Sequence, residues 1–188
     1  MCSSDLAARV TSIVRSSFTS VSRRNMGTAN LDIAVIDAGL RRRIARARVG
    51  HFATSDGRIP SVVPVCFVLL GETVYQAIDG KPKSVDPAQL RRVKNVRANP
   101  NAVLLVDHYF EDWRRLWYVL LRGTARIVDA GTEQRRAIIA LRKKYSQYRT
   151  TVPLPLDALV IATDVRRLRH WRASSAGRGR ARRPGRPA

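Results

Sequence analysis

Apolar residues dominate a series of short segments in the middle of the chain, and polar turn residues separate them. Residues 61–70 and 102–106 are almost wholly apolar and rich in valine and leucine, which is typical of strands. Ser55-Asp56-Gly57-Arg58 and Gly71-Glu72 are typical of tight turns between consecutive strands. The pattern predicts six strands, over residues 49–54, 61–70, 74–78, 102–109, 116–128 and 158–165.

Three other segments repeat apolar residues with the 3.6-residue period of an amphipathic helix. The first spans 31–47, where residues 41–48 carry a basic face and Gly39 weakens the middle. The second follows the third strand and ends at Asn99-Pro100, because proline disfavours helical geometry in the residue before it. The third spans 129–148 and carries cations toward its C-terminal end, where the helix dipole favours them.

The succession of hairpin-linked strands favours an antiparallel barrel over a parallel sheet with crossover helices. We therefore predict an α+β fold, a six-stranded antiparallel β-barrel with flanking helices. At 188 residues with 45% hydrophobic residues, the chain is long enough to bury one core. We expect the folded domain to span 30–173, with an extension over 1–29 and a basic tail over 174–188 that lack stable structure.

The net charge of +21 is distributed unevenly along the sequence. Residues 165–188 hold nine arginines and no acid, and residues 1–26 hold four arginines and one acid. We therefore expect more than half of the excess charge to lie outside the fold. Nucleic acid, which such charge attracts, would be bound only through the basic tail. The serine-rich start loosely resembles a transit peptide, and Met26 is an alternative translation start.

The sequence lacks the usual signatures of catalysis by side chains or metals. It contains no Gly-x-Ser-x-Gly, P-loop, Gly-x-Gly-x-x-Gly or Cys-x-x-Cys motif. The three histidines are far apart, so we expect no metal site. Cys2 and Cys66 do not suggest a disulfide framework, and no apolar run approaches the roughly 20 residues that a membrane span needs. We expect a cytoplasmic protein with no membrane partner.

The turn Asp79-Gly80-Lys81-Pro82-Lys83-Ser84 between the third strand and the second helix is the first candidate site. Glycine permits the positive φ that would end the strand abruptly, and proline stiffens the next step. Two ammonium groups, those of Lys81 and Lys83, would then project near backbone N–H groups and a helix start, which suits a phosphate group. The alternative is a solvated basic turn that leads into an amphipathic helix carrying Arg91, Arg92, Lys94 and Arg97.

Two further features indicate a bound organic ligand. Pro64 cannot donate to a strand ladder, so it must lie at an edge or a bulge, where main chain is free to bind a planar molecule. Aromatic residues also cluster between 109 and 118, although core packing or a dimer interface explains them equally well. These features suit a cofactor that supplies its own reactivity while the protein positions it and neutralises its phosphate.

Several blocks of the sequence together resemble one protein family. They are Arg48-Val-Gly-His-Phe-Ala-Thr-Ser-Asp-Gly-Arg58, Val63-Pro-Val65, Val74-Tyr75 with Asp79-x-Lys81-Pro-Lys83, Asn95-x-x-Ala98-Asn99-Pro100, and Val106-Asp107-His108-Tyr109-x-x-Asp112-Trp113-x-Arg115-Leu116-Trp117. Over residues 33–174 the chain resembles the pyridoxamine 5'-phosphate oxidase-like split-barrel superfamily. More narrowly, it resembles the actinobacterial branch of deazaflavin (coenzyme F-420)-dependent oxidoreductases, and the last block is the most specific.

The resemblance implies a homodimer with two cofactor sites at the subunit interface. The implied cofactor is coenzyme F-420, with FMN as the alternative, and the implied reaction is hydride transfer to or from a small organic substrate. Proton delivery stays open between solvent, Tyr109 and His108. The additional Arg and His residues of true pyridoxamine phosphate oxidases cannot be matched here, which argues against vitamin B6 oxidation.

The resemblance also implies roles for particular residues. Main chain of Val63, Pro64 and Val65 would face the flavin-like ring, with Ile78 beside it. Lys81 and Lys83 would hold the phosphate, and Arg91 or Lys94 would reach an acidic tail of glutamates. Trp113 and Trp117 would come from the partner subunit.

Overall fold

The computed structural model describes residues 29–32, 36–80 and 86–173. The dominant element of these residues is one antiparallel sheet of eight strands. The strands are β1 (Ala29–Asp32), β2 (Gly50–Ser55), β3 (Pro60–Val65), β4 (Val68–Leu70), β5 (Thr73–Ala77), β6 (Asn101–His108), β7 (Trp117–Val128) and β8 (Val160–Arg172).

The strand order of this sheet brings its two ends close together. The order is β3-β2-β6-β7-β8-β5-β4, and β1 pairs with β8 beside this path. Laid flat, the path would be about 29 Å wide at about 4.8 Å per strand. However, only Cys66 and Phe67 separate β3 from β4, so the link between the two ends spans at most about 11 Å. The sheet must therefore curl until its ends approach each other.

The sheet differs from the predicted one in its strand number and in two boundaries. The apolar run 61–70 breaks at Cys66-Phe67, because the chain leaves one end of the sheet there and joins the other. β3 is half-exposed, since it lies at an end of the sheet, and Pro64 therefore lies at an edge, one of the two positions expected for it. β8 continues to Arg172, so four of the arginines counted with the unstructured tail lie on a strand: Arg166, Arg167, Arg169 and Arg172.

In the described ranges, three α-helices flank the sheet: α1 (Ala38–Arg46), α2 (Arg91–Ala98) and α3 (Gly131–Lys144). α1 begins later than predicted, because Asp37 caps it by accepting a hydrogen bond from Leu40 N at 2.9 Å, and Ala29–Asp32 instead pairs with β8 as a strand. α2 ends before Asn99-Pro100, as predicted. None of the helices in the described ranges has the length and apolar character that crossing a bilayer requires.

The core lies between the inward face of the curled sheet and the helices. Phe52, Leu104 and Leu121 are fully buried on neighbouring strands of one cluster. In a second cluster, Ile138 and Leu141 of α3 pack with apolar residues of β8. Burying side chains of this size contributes roughly 1.5–3 kcal/mol each.

The outward face of the sheet also carries apolar side chains. Cross-strand partners on this face include Val62 with Ala53, Leu105 with Leu120 and Tyr118 with Trp171. The rings of Tyr118 and Trp171 stack with centroids 5.9 Å apart, and Val62 is 61% exposed. We call these six residues the outer apolar face.

Candidate functional site

The predicted phosphate turn begins where β5 ends. Lys81 and Lys83 lie outside the described residues, so the structure gives no position for either ammonium group. Gly80 is described and does not adopt a positive φ, contrary to the prediction; positive φ occurs at Gly57, Gly71 and Gly131. The strand therefore ends without the left-handed step. Asp79 accepts a hydrogen bond from Tyr148 Oη at 3.2 Å.

Arg92 of α2 lies beside this strand end. Its guanidinium is half-buried, and its Nε is buried without a hydrogen-bond partner. Burial lowers the pKa of Arg92, whereas the nearby Asp79 and Tyr148 act in the opposite direction. The pKa of Tyr148 is raised, first by burial. An incompletely paired guanidinium at the start of the predicted turn is a ready partner for an anionic group.

Two other cations of α2 were predicted to reach an acidic tail. Arg91 and Lys94 are both exposed, and Arg91 lies 3.6 Å from a carboxylate oxygen of Asp56 in the β2–β3 turn. Asn95 anchors the same helix to β2 through a 3.1 Å hydrogen bond to Thr54 Oγ1. α2 therefore sits at the end of the β2–β3 hairpin that is remote from Val65.

The predicted ring-facing segment occupies the free edge of the sheet. Val63 and Val65 are half-buried and Pro64 is exposed on β3, whose one partner in the sheet order is β2. Ile78 lies in the core with 4% of its surface exposed, and its N–H donates to Leu159 O at 2.8 Å.

A groove of about 640 Å³ lies between α1 and the ends of β6 and β7. It has the size of a small-molecule site. Among the described residues, four arginines and three aromatic rings line it, and Asp107 is the one acid in this lining. We call it the arginine groove; the side chains that define it are Arg42, Arg43, Arg46, Arg48, His108, Phe110 and Trp117.

Most arginines of this groove form no salt bridge within the described part of the chain, although the charge of Arg42 contributes to lowering the pKa of Asp37. Arg48 donates to Lys144 O at 2.5 Å, which leaves its charge uncompensated. The guanidinium of Arg43 lies over the ring of Trp117, 5.2 Å from the centroid. Among the described residues, neither Arg42 nor Arg46 forms a salt bridge to a carboxylate. The groove therefore holds a concentrated positive potential.

The aromatic wall of the arginine groove contains one of the two predicted tryptophans. Trp117 is half-buried and its ring lies nearly parallel to that of His108, with centroids 6.5 Å apart. Trp113 is 68% exposed and donates from Nε1 to Tyr109 Oη at 3.3 Å. Val49 also lines the groove and directly precedes Gly50, which pairs with Val65. Thus Trp117 and Val65 share one end of the sheet, whereas Arg91 lies toward the other end of the β2–β3 hairpin.

The crossing between the two sheet ends is held by the last turn of α3 and the residue after it. Lys144 Nζ donates to Phe67 O at 2.9 Å, and Tyr145 Oη accepts from Phe67 N at 2.9 Å. Burial lowers the pKa of Lys144 to about 8 and raises that of Tyr145 to about 12. Cys66 carries a free thiol in this crossing and is half-buried. No group of three potential metal ligands occurs among the described residues.

Sequence reasoning missed the arginine groove and the inward position of Arg92. The basic stretch 41–48 was recognised, but only as the face of a helix. Its alignment with Trp117 depends on how α1 packs across the sheet, which no local spacing reveals. A signal did exist, because the specific block 106–117 supplies Asp107, His108, Phe110 and Trp117 to the same groove.

The fold and this groove define a class: an antiparallel-sheet protein with flanking helices and a concave cationic binding site. The pyridoxamine 5'-phosphate oxidase family matches residues 37–175, and the chain belongs to that family. A comparison with curated proteins finds no match.

Three solved structures illustrate the similarity. An FAD-binding protein from Mesorhizobium loti is 18% identical, with a TM-score of 0.55 and coverage of 79% of this chain and 100% of the other. An F-420 reductase is 19% identical, with a TM-score of 0.51 and coverage of 71% and 98%. A heme-binding protein from Mycobacterium smegmatis is 21% identical, with a TM-score of 0.56 and coverage of 73% and 53%. At these identities the similarity shows the fold alone.

Proposed function

We propose that the protein is an oxidoreductase that uses the deazaflavin coenzyme F-420 and transfers a hydride to or from a small organic substrate. Its fold would be the split barrel of its family, and it would act as a homodimer. Membership of an oxidase family supports the reaction class. The names of two similar structures, an FAD-binding protein and an F-420 reductase, support a flavin-type coenzyme.

The observation that carries the proposal is the half-buried guanidinium of Arg92. Its Nε has no hydrogen-bond partner, and it lies beside Asp79, where the turn with Lys81 and Lys83 begins. A buried donor without a partner costs about 1–3 kcal/mol, which an anionic ligand at this position would offset. The residues present therefore fit a phosphate-bearing coenzyme.

Residues of this chain would bind and orient the coenzyme in three ways. Lys81, Lys83 and Arg92 would neutralise its phosphate, and Arg91 or Lys94 would hold its acidic tail. The free edge of β3 at Val63, Pro64 and Val65, with Ile78 behind it, would offer main chain and apolar surface to the ring. When bound, the coenzyme supplies the hydride chemistry, so no side chain is required as a nucleophile.

Protonation completes the reaction when the substrate is reduced. A bound coenzyme would supply the hydride, and the part of the chain would be to deliver a proton to the substrate atom that gains the electron pair. Solvent, His108 and Tyr109 are the candidate proton sources. Both side chains are exposed at the same end of the sheet as Val65.

The outer apolar face supports the homodimer in this proposal. A continuous apolar surface on the outward side of a sheet is typical of an interface. In a dimer built on this face, the exposed Trp113 would be the tryptophan that reaches the coenzyme site of the partner. Trp117 alternates with Tyr118 along β7, so its side chain lies on the opposite side of the sheet, beside α1.

The proposal is tested by titrating the full-length protein with coenzyme F-420 and, separately, with FMN. We expect micromolar binding of coenzyme F-420, and we expect the double variant Lys81→Ala/Lys83→Ala to weaken it at least tenfold, the equivalent of about 1.4 kcal/mol. Lys143→Ala, an exposed lysine of α3, is the control and should leave binding unchanged. Failure of both coenzymes to bind would refute the proposal.

Three alternatives predict different binding results. Tight FMN binding without F-420 binding would indicate a flavin enzyme of the same fold. The similar heme-binding protein and the exposure of His108 in the arginine groove make hemin the third ligand to test. Nucleic-acid binding through residues 174–188 would disappear when that segment is deleted, whereas coenzyme binding would persist.

A further inference from the structure

We propose that the arginine groove is the substrate site and that the substrate is a planar molecule bearing a carboxylate or phosphate group. This inference rests on the proposed function, because it identifies the molecule that exchanges a hydride with the coenzyme. The described residues on either side of the turn that would hold the coenzyme phosphate, Asp79, Gly80 and Asp86, are not among those that line the groove. We therefore assign the groove to a second anion.

The cations of the groove specify an anionic ligand. Arg42 and Arg46 lie one helical turn apart on α1, so their side chains project from the same face of the helix. Arginine carries a planar fork of donors that binds carboxylate and phosphate oxygens in pairs. Asp107 is the one acid among the described residues that line the groove, and His51 Nδ1 lies 3.3 Å from it. Among these residues, the remaining positive charge has no acidic counterpart.

The aromatic side chains specify a planar ligand. Trp117, His108 and Phe110 form one wall, and the rings of His108 and Phe110 meet edge to face with centroids 4.0 Å apart. Rings stack on such surfaces with a gain of about 0.5–1.5 kcal/mol beyond area burial. A ligand with a flat ring and an acidic group would satisfy this wall and the arginines together.

The position of the groove suits a substrate. It shares one end of the sheet with Val65, the last residue of the strand predicted to face the ring of the coenzyme. A molecule in the groove would thus lie at the end of the sheet where the ring of the coenzyme is expected, while its anionic group stays on α1.

The simplest competing explanation is that these arginines form a solvated helix face. Such a face binds any small anion weakly, and it does not distinguish a ring-bearing anion from inorganic phosphate. A specific binding site requires both the ring and the charge of its ligand. This requirement distinguishes the two explanations experimentally.

The test measures binding of 1-naphthoate and 1-naphthyl phosphate to the full-length protein by calorimetry. 1-Naphthalenemethanol, which has the ring without the charge, and inorganic phosphate, which has the charge without the ring, are the matched probes. We expect at least one naphthyl anion to bind, and each matched probe to bind at least about tenfold more weakly. The double variant Arg42→Gln/Arg46→Gln should weaken binding of the anion by a similar factor.

A matched double variant controls for the change in net charge. Arg135→Gln/Arg149→Gln removes two exposed arginines away from the groove and should change affinity by less than about twofold. The inference is overturned if neither naphthyl anion binds, if a matched probe binds as well, or if the control variant weakens binding equally. It is also overturned if Arg42→Gln/Arg46→Gln weakens coenzyme F-420 to the same extent, because the groove would then hold the coenzyme. Failure of the proposed function appears separately, as absence of coenzyme binding to the wild-type protein.

Discussion

Gly123 lies where β7 shifts register against β8, and its Cα has no room for a side chain. A Cβ atom at this position would lie 2.1 Å from Asp164 O and 2.8 Å from the carbonyl carbon of the same residue. Both atoms belong to a paired strand, so neither can move away without breaking the ladder. The bulge therefore depends on this glycine.

We expect Gly123→Ala to lower the free energy of unfolding by about 3 kcal/mol, because the added methyl group forces two paired strands apart. Chemical denaturation of both proteins measures the difference. Gly80→Ala is the control, since its Cβ would meet only Pro153 O at 3.5 Å and its φ is not positive. Equal stability of Gly123→Ala and wild type would mean that the bulge can relax.

For single residues, the sequence indicates some structural roles and gives no sign of others. The bend at Gly123 was foreseeable, because a glycine within an apolar strand is typical of a bulge. The partner that excludes a side chain, Asp164, was not, since it comes from a distant strand. Likewise, α2 carries four cations, but only packing against Asp79 and Tyr148 distinguishes Arg92 from Arg91.

Among the secondary-structure elements, the contact between α3 and the β3–β4 crossing is the most consequential. Tyr145 Oη accepts a hydrogen bond from Phe67 N, and it also lies 2.9 Å from Arg48 O and 3.0 Å from Phe67 O, to one of which it donates. The ring of Tyr145 is 3% exposed. One side chain thus contacts main chain of both the crossing and the segment before β2.

We expect Tyr145→Phe to lower the free energy of unfolding by about 1–3 kcal/mol at neutral pH, because Phe67 N–H is left buried without a partner. Burial raises the pKa of Tyr145 from 10 to about 12, so its neutral form is favoured in the folded state. The contribution of the neutral Tyr145 hydroxyl to the free energy of unfolding is complete below pH 10 and is lost as pH rises toward 12.

The difference in stability between wild type and Tyr145→Phe should therefore shrink above pH 10. Denaturation curves at pH 7, 10 and 11 provide the measurement. Tyr109→Phe, at a residue that is 62% exposed, is the control. A difference that stays constant to pH 11 would contradict the assignment of the pKa shift to burial.

The elements themselves were largely predictable, and their ends were not. All six predicted strands exist, because their apolar runs are bounded by turn residues. The run 61–70 was predicted as one strand, since nothing local marks the point where the chain changes sheet ends. β8 was predicted to end at 165 because arginine-rich sequence suggests a solvated tail, yet outward positions of a strand accommodate arginine readily.

At the scale of the whole molecule, the outer apolar face and the basic charge have opposite effects on dimer formation. Three arginines lie on the same face: Arg122 is the cross-strand partner of Arg167, and Arg169 is the cross-strand partner of Leu120. They increase the repulsion between two copies, so apolar contact must outweigh it if the face forms a dimer.

We expect wild-type protein in solution to have twice the 21.1 kDa mass of one chain. Leu120→Lys should have the mass of one chain, because it places a charge within the apolar contact. Light scattering coupled to gel filtration measures both. Ile139→Lys, at a residue of α3 that is 60% exposed, is the matched control and should remain dimeric. A monomeric wild-type protein at micromolar concentration would refute the dimer.

The two-residue link at Cys66-Phe67 also limits how the sheet can open. Terminal strands of an ordinary sheet fray independently, since each is held by one neighbour. Here, separation of β4 from β5 displaces β3 as well, because only two residues connect β3 and β4. Tyr145 and Lys144 hydrogen-bond to Phe67 in this connection. The two edges are thus mechanically coupled, and amide protons of β3 and β4 should exchange with solvent in a single cooperative event rather than as two separate ends.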